Sequence, residues 1–312
     1  MKLAQRNYYG KALAKLAETN KDVVVLDADL AGSTKTSEFR KVAPERFVEV
    51  GIAEQNLIGI SAGLAASGKT VFASTFAVFA TGRCWEQIRL ALAYPKLNVK
   101  VVSTHCGISV GADGASHQAL EDISIMRSLP NMVVVSPADA YEAYAATLAL
   151  AEYDGPCYMR LGRADLPVIY TEDVEFTIGK AKKIRSGTDV TLIGTGQMVN
   201  SCIEAADILE KEGISADVIN MSTIKPLDTE AIYDSITKTG CVVTAEEHSV
   251  IGGLGSAVSE FLSENCPVPL TRIGTRDTFG ESGDPDELFK KYGLTAEDIA
   301  EAAKLSISRK KE

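Results

Sequence analysis

A carboxylate at Glu54 falls in the first turn of an expected helix that opens where a strand ends, within FVEVGIAEQNLIGI, residues 47–60. Phe47 to Val50 read as a short strand and Gly51 as a turn, while Ile52, Leu57 and Ile60 recur at helical spacing. In an open α/β sheet, ligands bind beyond the carboxyl ends of the strands, beside helix N-termini. The helix dipole favours a first-turn carboxylate even with no ligand present. Glu54 alone therefore leaves both readings open.

Its surroundings tilt the balance. Two of the three histidines, His105 and His117, lie at a strand end and in the Gly-rich loop that follows, which also carries Asp113. Such a grouping in one strand-end loop points to a site. It is a poor metal site, because no third nitrogen or sulfur ligand is placed nearby and no HExxH spacing occurs. Arg6 and Arg160 read as surface residues. Arg163 follows a strand end, where a guanidinium could hold a phosphate through charge-assisted bonds. Phe72, Phe76 and Phe79 read first as a core stripe, with a wall against which a planar ring could stack as the alternative. The stretches 107–114 and 252–255 match neither a phosphate-binding P-loop nor a dinucleotide fingerprint. Ser109 and Ser256 lack the GxSxG elbow of serine hydrolases.

The elements that must position these residues alternate in a regular rhythm. Residues 3–19 read as a helix and 22–29 as a buried strand that ends in two carboxylates. A polar loop follows at 32–36. Further strands are expected at 70–76, 99–105, 132–136 and 156–161, with a helix carrying Phe79, Trp85, Ile88 and Leu92, one at 120–127 and one from Pro137. This alternation implies a doubly wound, mostly parallel sheet. Residues 171–186 read as a linker with a small hairpin, and a second α/β unit starts near 187, with strands at 189–196, 216–220 and 241–245. Two doubly wound α/β domains, 1–170 and 187–312, are the expectation.

At 312 residues the chain is long enough for two domains. Its 46% hydrophobic and 24% charged content suits an ordinary globular protein, and no apolar run is long enough for a membrane span. The formal charge of −10 argues against nucleic acid or an anionic membrane as partner. Six cysteines without a CxxC pair read as buried free thiols in a reducing, cytoplasmic setting.

Three segments carry a closer likeness: FVEVGIAEQNLIGISAGLAASGKTVFASTFAVFA, STHCGISVGADGASHQALEDISIMRSLPNMVVVSPAD and TRDTFGESGDPDELFKKYGLT. In order and spacing the chain resembles the second half of transketolase, over nearly its whole length. The resemblance implies a domain binding the pyrimidine of thiamine diphosphate, followed by a transketolase C-terminal domain. It gives Glu54 the role of bonding the aminopyrimidine ring nitrogen, which promotes the imino tautomer that removes the thiazolium proton. It places Phe76 and Phe79 on the pyrimidine, with a third aromatic position falling on Gly82, so that this wall is either thinner or filled by another side chain. Asp29 matches an acidic residue near the cofactor. His117 and Asp113 match residues at the sugar hydroxyls and the reaction centre, and Arg6, Ser33, His105 and Arg163 match the group holding the sugar phosphate.

One family motif is missing. The diphosphate and its Mg2+ or Ca2+ are held by GDG and a later Asn, but here only Ala112-Asp113-Gly114 occurs. The resemblance thus implies a separate N-terminal subunit carrying GDG…N, an α2β2 assembly, and ketol transfer between sugar phosphates of the pentose phosphate pathway. Alternatives are a related split ketol transferase for an unusual sugar or sulfosugar phosphate, and a non-catalytic partner subunit. For the second domain, including His248 and the turn at 252–256, a structural, dimer-supporting role is expected.

Overall fold

The computed structural model describes residues 1–311. Among the described residues, fourteen strands form two large sheets and a small ribbon. The first large sheet contains β2 (Val23–Asp27), β3 (Phe47–Glu49), β4 (Thr70–Phe76), β5 (Val99–Thr104), β6 (Val133–Val135) and β7 (Cys157–Arg160). All six run parallel, in the order β6-β7-β5-β4-β2-β3. Their near-continuous Val, Leu and Phe content follows from helices covering both faces. Leu26, Val71 and Val101 pack into one apolar cluster, and Val25, Phe72 and Val102 into another.

The second sheet is built on the same plan. In it β10 (Val190–Gly194), β11 (Ala216–Asn220), β13 (Val242–Ser249) and β14 (Leu270–Thr275) are parallel, in the order β14-β13-β10-β11. The segment expected as a hairpin supplies β9 (Lys182–Arg185), which instead pairs antiparallel with β11 as an edge strand.

Two pairings reach across the sequence. The start of the chain is not all helix: β1 (Lys2–Ala4) pairs antiparallel with β8 (Asp165–Pro167), and the helix begins at Gln5 and runs to Thr19. Short β12 (Thr223–Lys225), far along the second unit, pairs antiparallel with β6 and forms one edge of the first sheet. No described helix is long and apolar enough to cross a membrane.

A charged core ties the halves together. Arg160, expected at the surface, is buried with Asp122, with its Nε 2.7 Å and Nη2 3.2 Å from the two carboxylate oxygens. Tyr158 donates to the same carboxylate at 2.6 Å, and Arg160 also donates to the backbone carbonyl of Glu247 at 3.2 Å. Burial pushes the Asp122 carboxyl up, but Arg160, His248 and the hydrogen bonds together hold it below its ordinary value. An arginine can be buried here because a bidentate carboxylate meets it.

Candidate active site at the strand ends of the first sheet

Every predicted site residue except Arg6 and Phe76, the last residue of β4, lies just past the carboxyl end of a parallel strand, or in the loop or helix start that follows. This is where the topology leaves backbone groups and side chains facing a common crevice. Asp29 and Ser33 follow β2, Glu54 follows β3, Phe79 follows β4, His105, Asp113 and His117 follow β5, and Arg163 follows β7. Arg6 enters from the first turn of the helix Gln5–Thr19.

Glu54 is the first residue of the helix Glu54–Ala66 and is 6% exposed. Ile52 does not belong to that helix; it is 76% exposed, because the turn at Gly51 delays the helix to Glu54. The Glu54 Oε1 accepts a hydrogen bond from Arg83 Nη1 at 2.7 Å. Arg83 also lies 4.2 Å above the Phe79 ring, a cation–π distance. The side chain that lies over Phe79 beside Gly82 is thus the next residue along, Arg83. The stretch Phe79–Arg83 is a π-helix, and such wider turns are frequent at functional sites. An open pocket of about 510 Å3, lined by residues 52–56 and Arg83, reaches the Glu54 carboxylate.

An aromatic shelf runs inward from there. Phe76 and Phe79 are stacked with centroids 6.0 Å apart, and Phe76 stacks on the His105 ring at 3.8 Å. His117 meets Phe79 edge-on at 5.3 Å and Phe76 at 6.4 Å. Phe72, by contrast, is fully buried core. The three phenylalanines are therefore not one stripe, because Phe76 ends β4 and Phe79 belongs to the turn beyond it.

Beyond the shelf is a cationic corner. Arg6 donates from Nη1 to the Ser33 carbonyl at 3.1 Å, while its buried Nε has no partner. Arg163 donates to the Val110 carbonyl at 2.8 Å and lies 3.6 Å from the Asp113 carboxylate. Burial and then the neighbouring Arg163 lower the pKa of Arg6. Burial, followed by Arg6, Arg163 and His117, pushes the His105 imidazole down to about 3. With these cations facing it, His105 is therefore neutral at neutral pH. Its Nδ1 lies 2.8 Å from the Thr104 hydroxyl. If that hydroxyl donates, the proton sits on Nε2, leaving a neutral donor.

Asp29 is the outlier. It is exposed, in the left-handed region at φ 63°, and its backbone N–H donates to Glu49 Oε1 at 2.7 Å. The contacts that shape this loop belong to Asp27, two residues earlier. Its carboxylate accepts from Thr34 at 2.6 Å, Thr36 at 2.8 Å and the Leu30 N–H at 2.7 Å, fixing the turn that carries Ser33. Burial outweighs these bonds and raises Asp27 to about 6. Both carboxylates ended the expected strand, but nothing in the sequence says which one folds back onto the loop. Arg83 was missed for a similar reason: a lone arginine after Gly82 gives no sign that a π-turn will fold it over Phe79.

The comparisons with known proteins bear on the whole chain. The pyrimidine-binding domain of transketolase matches residues 1–168, and the transketolase C-terminal domain matches residues 179–299. The chain belongs to the transketolase family. It is 53% identical over 298 residues to a Methanocaldococcus jannaschii chain named as a transketolase C-terminal section, covering 95% of this chain and 93% of that one. It is 47% identical to the 6-deoxy-6-sulfo-D-fructose transketolase subunit of Clostridium sp. strain MSTE9, covering 98% and 95%. A solved structure described as a split-gene transketolase in an inactive β4 tetramer superposes with a TM-score of 0.93 at 52% identity, covering 99% of each chain. These relatives match almost end to end, so this chain is the counterpart of the C-terminal subunit of split transketolases, and the family implies thiamine diphosphate. A buried carboxylate opening on a pocket, beside two stacked phenylalanines, fits the pyrimidine half of that cofactor. Among the described residues no group of three or more His, Cys, Asp or Glu side chains is arranged to hold a metal ion.

Proposed function

We propose that this chain is the C-terminal subunit of a two-subunit transketolase that moves a two-carbon ketol unit from a ketose phosphate to an aldose phosphate. In this reading Glu54, Phe76 and Phe79 hold the aminopyrimidine of thiamine diphosphate, with Asp29 at the edge of the site. Thiamine diphosphate, when bound, supplies the nucleophilic carbon that takes up and releases the ketol unit. The diphosphate and its Mg2+ or Ca2+ are held by an N-terminal partner with the GDG…N motif, in an α2β2 complex. An inactive β4 form, as described for the similar solved structure, is what such a chain would be expected to give alone.

Each side chain then has a defined task. Glu54, withdrawn from water, bonds a ring nitrogen and shares its proton. For that, Arg83 must release one carboxylate oxygen or Glu54 must use the other. His117, edge-on to the shelf, faces the place where the ketol unit would lie, and with Asp113 it orients the sugar hydroxyls. Arg6 and Arg163, with Ser33 and the neutral donor of His105, receive the phosphate.

The observation that carries the reading is that cationic corner. After burial itself, Arg163 lowers the pKa of Arg6 and both guanidinium groups lower that of His105, and the buried Arg6 Nε is unpartnered, within reach of an aromatic shelf that leads to a buried carboxylate. Like charges so placed are satisfied by an anion. The test is to mix this chain with a GDG…N subunit, thiamine diphosphate, Mg2+, xylulose 5-phosphate and ribose 5-phosphate. Ketol transfer should need both proteins, and full activity from this chain alone would refute the split-subunit reading. A non-catalytic role would show as no dependence of the complex on Glu54.

A second reading is favoured by the 47% identity to a sulfofructose transketolase subunit. A sulfonate is also an oxyanion, and the same corner could receive it. Comparing sulfosugar and sugar-phosphate donors on the reconstituted complex separates the two.

A further inference from the structure

The Gly-rich loop that carries Asp113 and leads to His117 is not held by its own domain alone. Glu247, on β13 of the second unit, is buried, and its Oε1 accepts the Ser109 N–H at 2.6 Å. Its other oxygen accepts from Gln197, which also donates to the Ser109 hydroxyl at 3.0 Å. Gly107 passes so close, at φ 77°, that a Cβ there would overlap the Glu247 carboxylate. At the far end of the loop, Gln118 donates to the Glu281 carbonyl of the second unit at 2.9 Å and to the Ile108 carbonyl at 3.1 Å. The loop is thus pinned at both ends from across the domain boundary.

The residue next to Ser109 is Val110, whose carbonyl accepts from Arg163, and Arg163 in turn neighbours Asp113. We infer that Glu247 is a positioning residue for the substrate end of the site: by fixing the Ser109 N–H it sets the Val110 carbonyl that aims Arg163, and with it Asp113. The second unit then has a task in the site that no side chain of it performs by contact with substrate. The inference rests on the proposed function for its kinetic consequence but not for its structural one.

Two measurements separate those parts. In the isolated full-length chain, hydrogen exchange of peptides covering 107–114 should quicken by at least about ten-fold in E247A while 70–76 on β4 stays as in wild type, since a loop that loses an anchor opens locally. In the reconstituted complex, E247A should raise the KM for the phosphorylated donor by about ten-fold or more, since small misplacements of binding groups are costly. The Kd of thiamine diphosphate should change less than about two-fold, because Glu54, Phe76 and Phe79 lie on other elements. E247Q, which keeps the shape and one acceptor, should restore most of the loss. If E247A does not fold, Gln197→Ala carries the test, because it removes the donor to the other Glu247 oxygen and to the Ser109 hydroxyl from outside the loop and should give a weaker effect confined to the same peptides. Unchanged exchange at 107–114 in a folded variant, or an equal rise at 70–76, overturns the inference. A wild-type complex with no ketol transfer would instead overturn the proposed function, and the exchange result would still decide the role of Glu247.

Discussion

The two sheets of this chain follow one plan, yet their strand ends are used in opposite ways. Past the first sheet, polar groups are left facing a crevice: Glu54 opens on a pocket, the Arg6 Nε lacks a partner, and Arg6 and Arg163 sit near each other. At the end of β13 in the second sheet, the carboxylates are consumed internally. Glu246 accepts the N–H groups of Leu254 and Gly255 at 2.7 and 2.8 Å, at the start of the helix Leu254–Asn265, and Glu247 accepts from Ser109 and Gln197. Carboxylates near strand ends in the same kind of sheet can open on a crevice or be taken up by a helix start and a neighbouring domain. What decides is whether buried polar atoms find partners within the chain.

The contrast breaks most sharply at Glu54. In the reconstituted complex, Glu54→Ala should lower kcat by about 10^2–10^4-fold, the range for losing a group that handles protons, with little change in melting temperature. Near-normal turnover would return Glu54 to the dipole-favoured first-turn carboxylate that its position alone permits. Where a first-sheet strand end is satisfied inside the chain, as at Arg160 of β7, the loss falls on stability instead of turnover. Asp122→Ala leaves Arg160 buried without its carboxylate and should cost about 3–5 kcal/mol in denaturant unfolding.

A smaller effect is expected at the corner. Arg163→Ala should weaken binding of phosphorylated sugars by about 1.5–3 kcal/mol while affecting unphosphorylated analogues little, as seen in their KM values. An equal loss for both kinds of sugar would argue against a phosphate contact.

The smallest effect is in pH dependence, where two groups at strand ends of the first sheet, His105 after β5 and Asp27 at the end of β2, oppose each other. His105 is lowered to about 3. Its neutral folded form is fully favoured above the ordinary histidine pKa, and stability is lost as pH falls from about 6.5 towards 3. Asp27 is raised to about 6. It contributes in the other direction, since the folded state takes up its proton first and gains stability as pH falls from about 6 towards 4. His105→Asn should remove the first effect, and Asn tolerates the left-handed φ of 60°. At pH 4.5 relative to pH 7, the variant should therefore gain about 2 kcal/mol on wild type in denaturant unfolding. Parallel curves would mean that His105 is protonated as readily as in the unfolded chain.

Much of this was legible in the sequence where physics is local. Val23 to Leu26 could be read as a strand because a parallel strand covered on both faces is a near-continuous apolar run, and Val99 to Val102 reads the same way apart from Lys100, whose ammonium reaches the Tyr153 and Gly155 carbonyls. Glu54 in a first turn and the strand-end histidines followed from the same reading. What escaped depended on distant partners. Arg160 looks like any surface arginine until Asp122, 38 positions away, is folded beside it. Lys2–Ala4 could not be told from a helix start, because the strand that defines it is Asp165–Pro167. The neutrality of His105 arises from burial beside Arg6 and Arg163, which come from opposite ends of the first domain.

The pairing of β12 with β6 has a consequence for how this chain could be divided. A fragment ending near residue 170 would keep six parallel strands but uncover the edge of β6, an apolar Val133–Val135 rim with free hydrogen-bonding groups. Exposed edges of that kind recruit other strands. The second unit would be left with a strand belonging to nobody. Viewed as a piece of modular engineering, the stretch between the two domains is a connection and not a joint. Shuffling either half onto another scaffold would have to carry residues 223–225 with the first sheet.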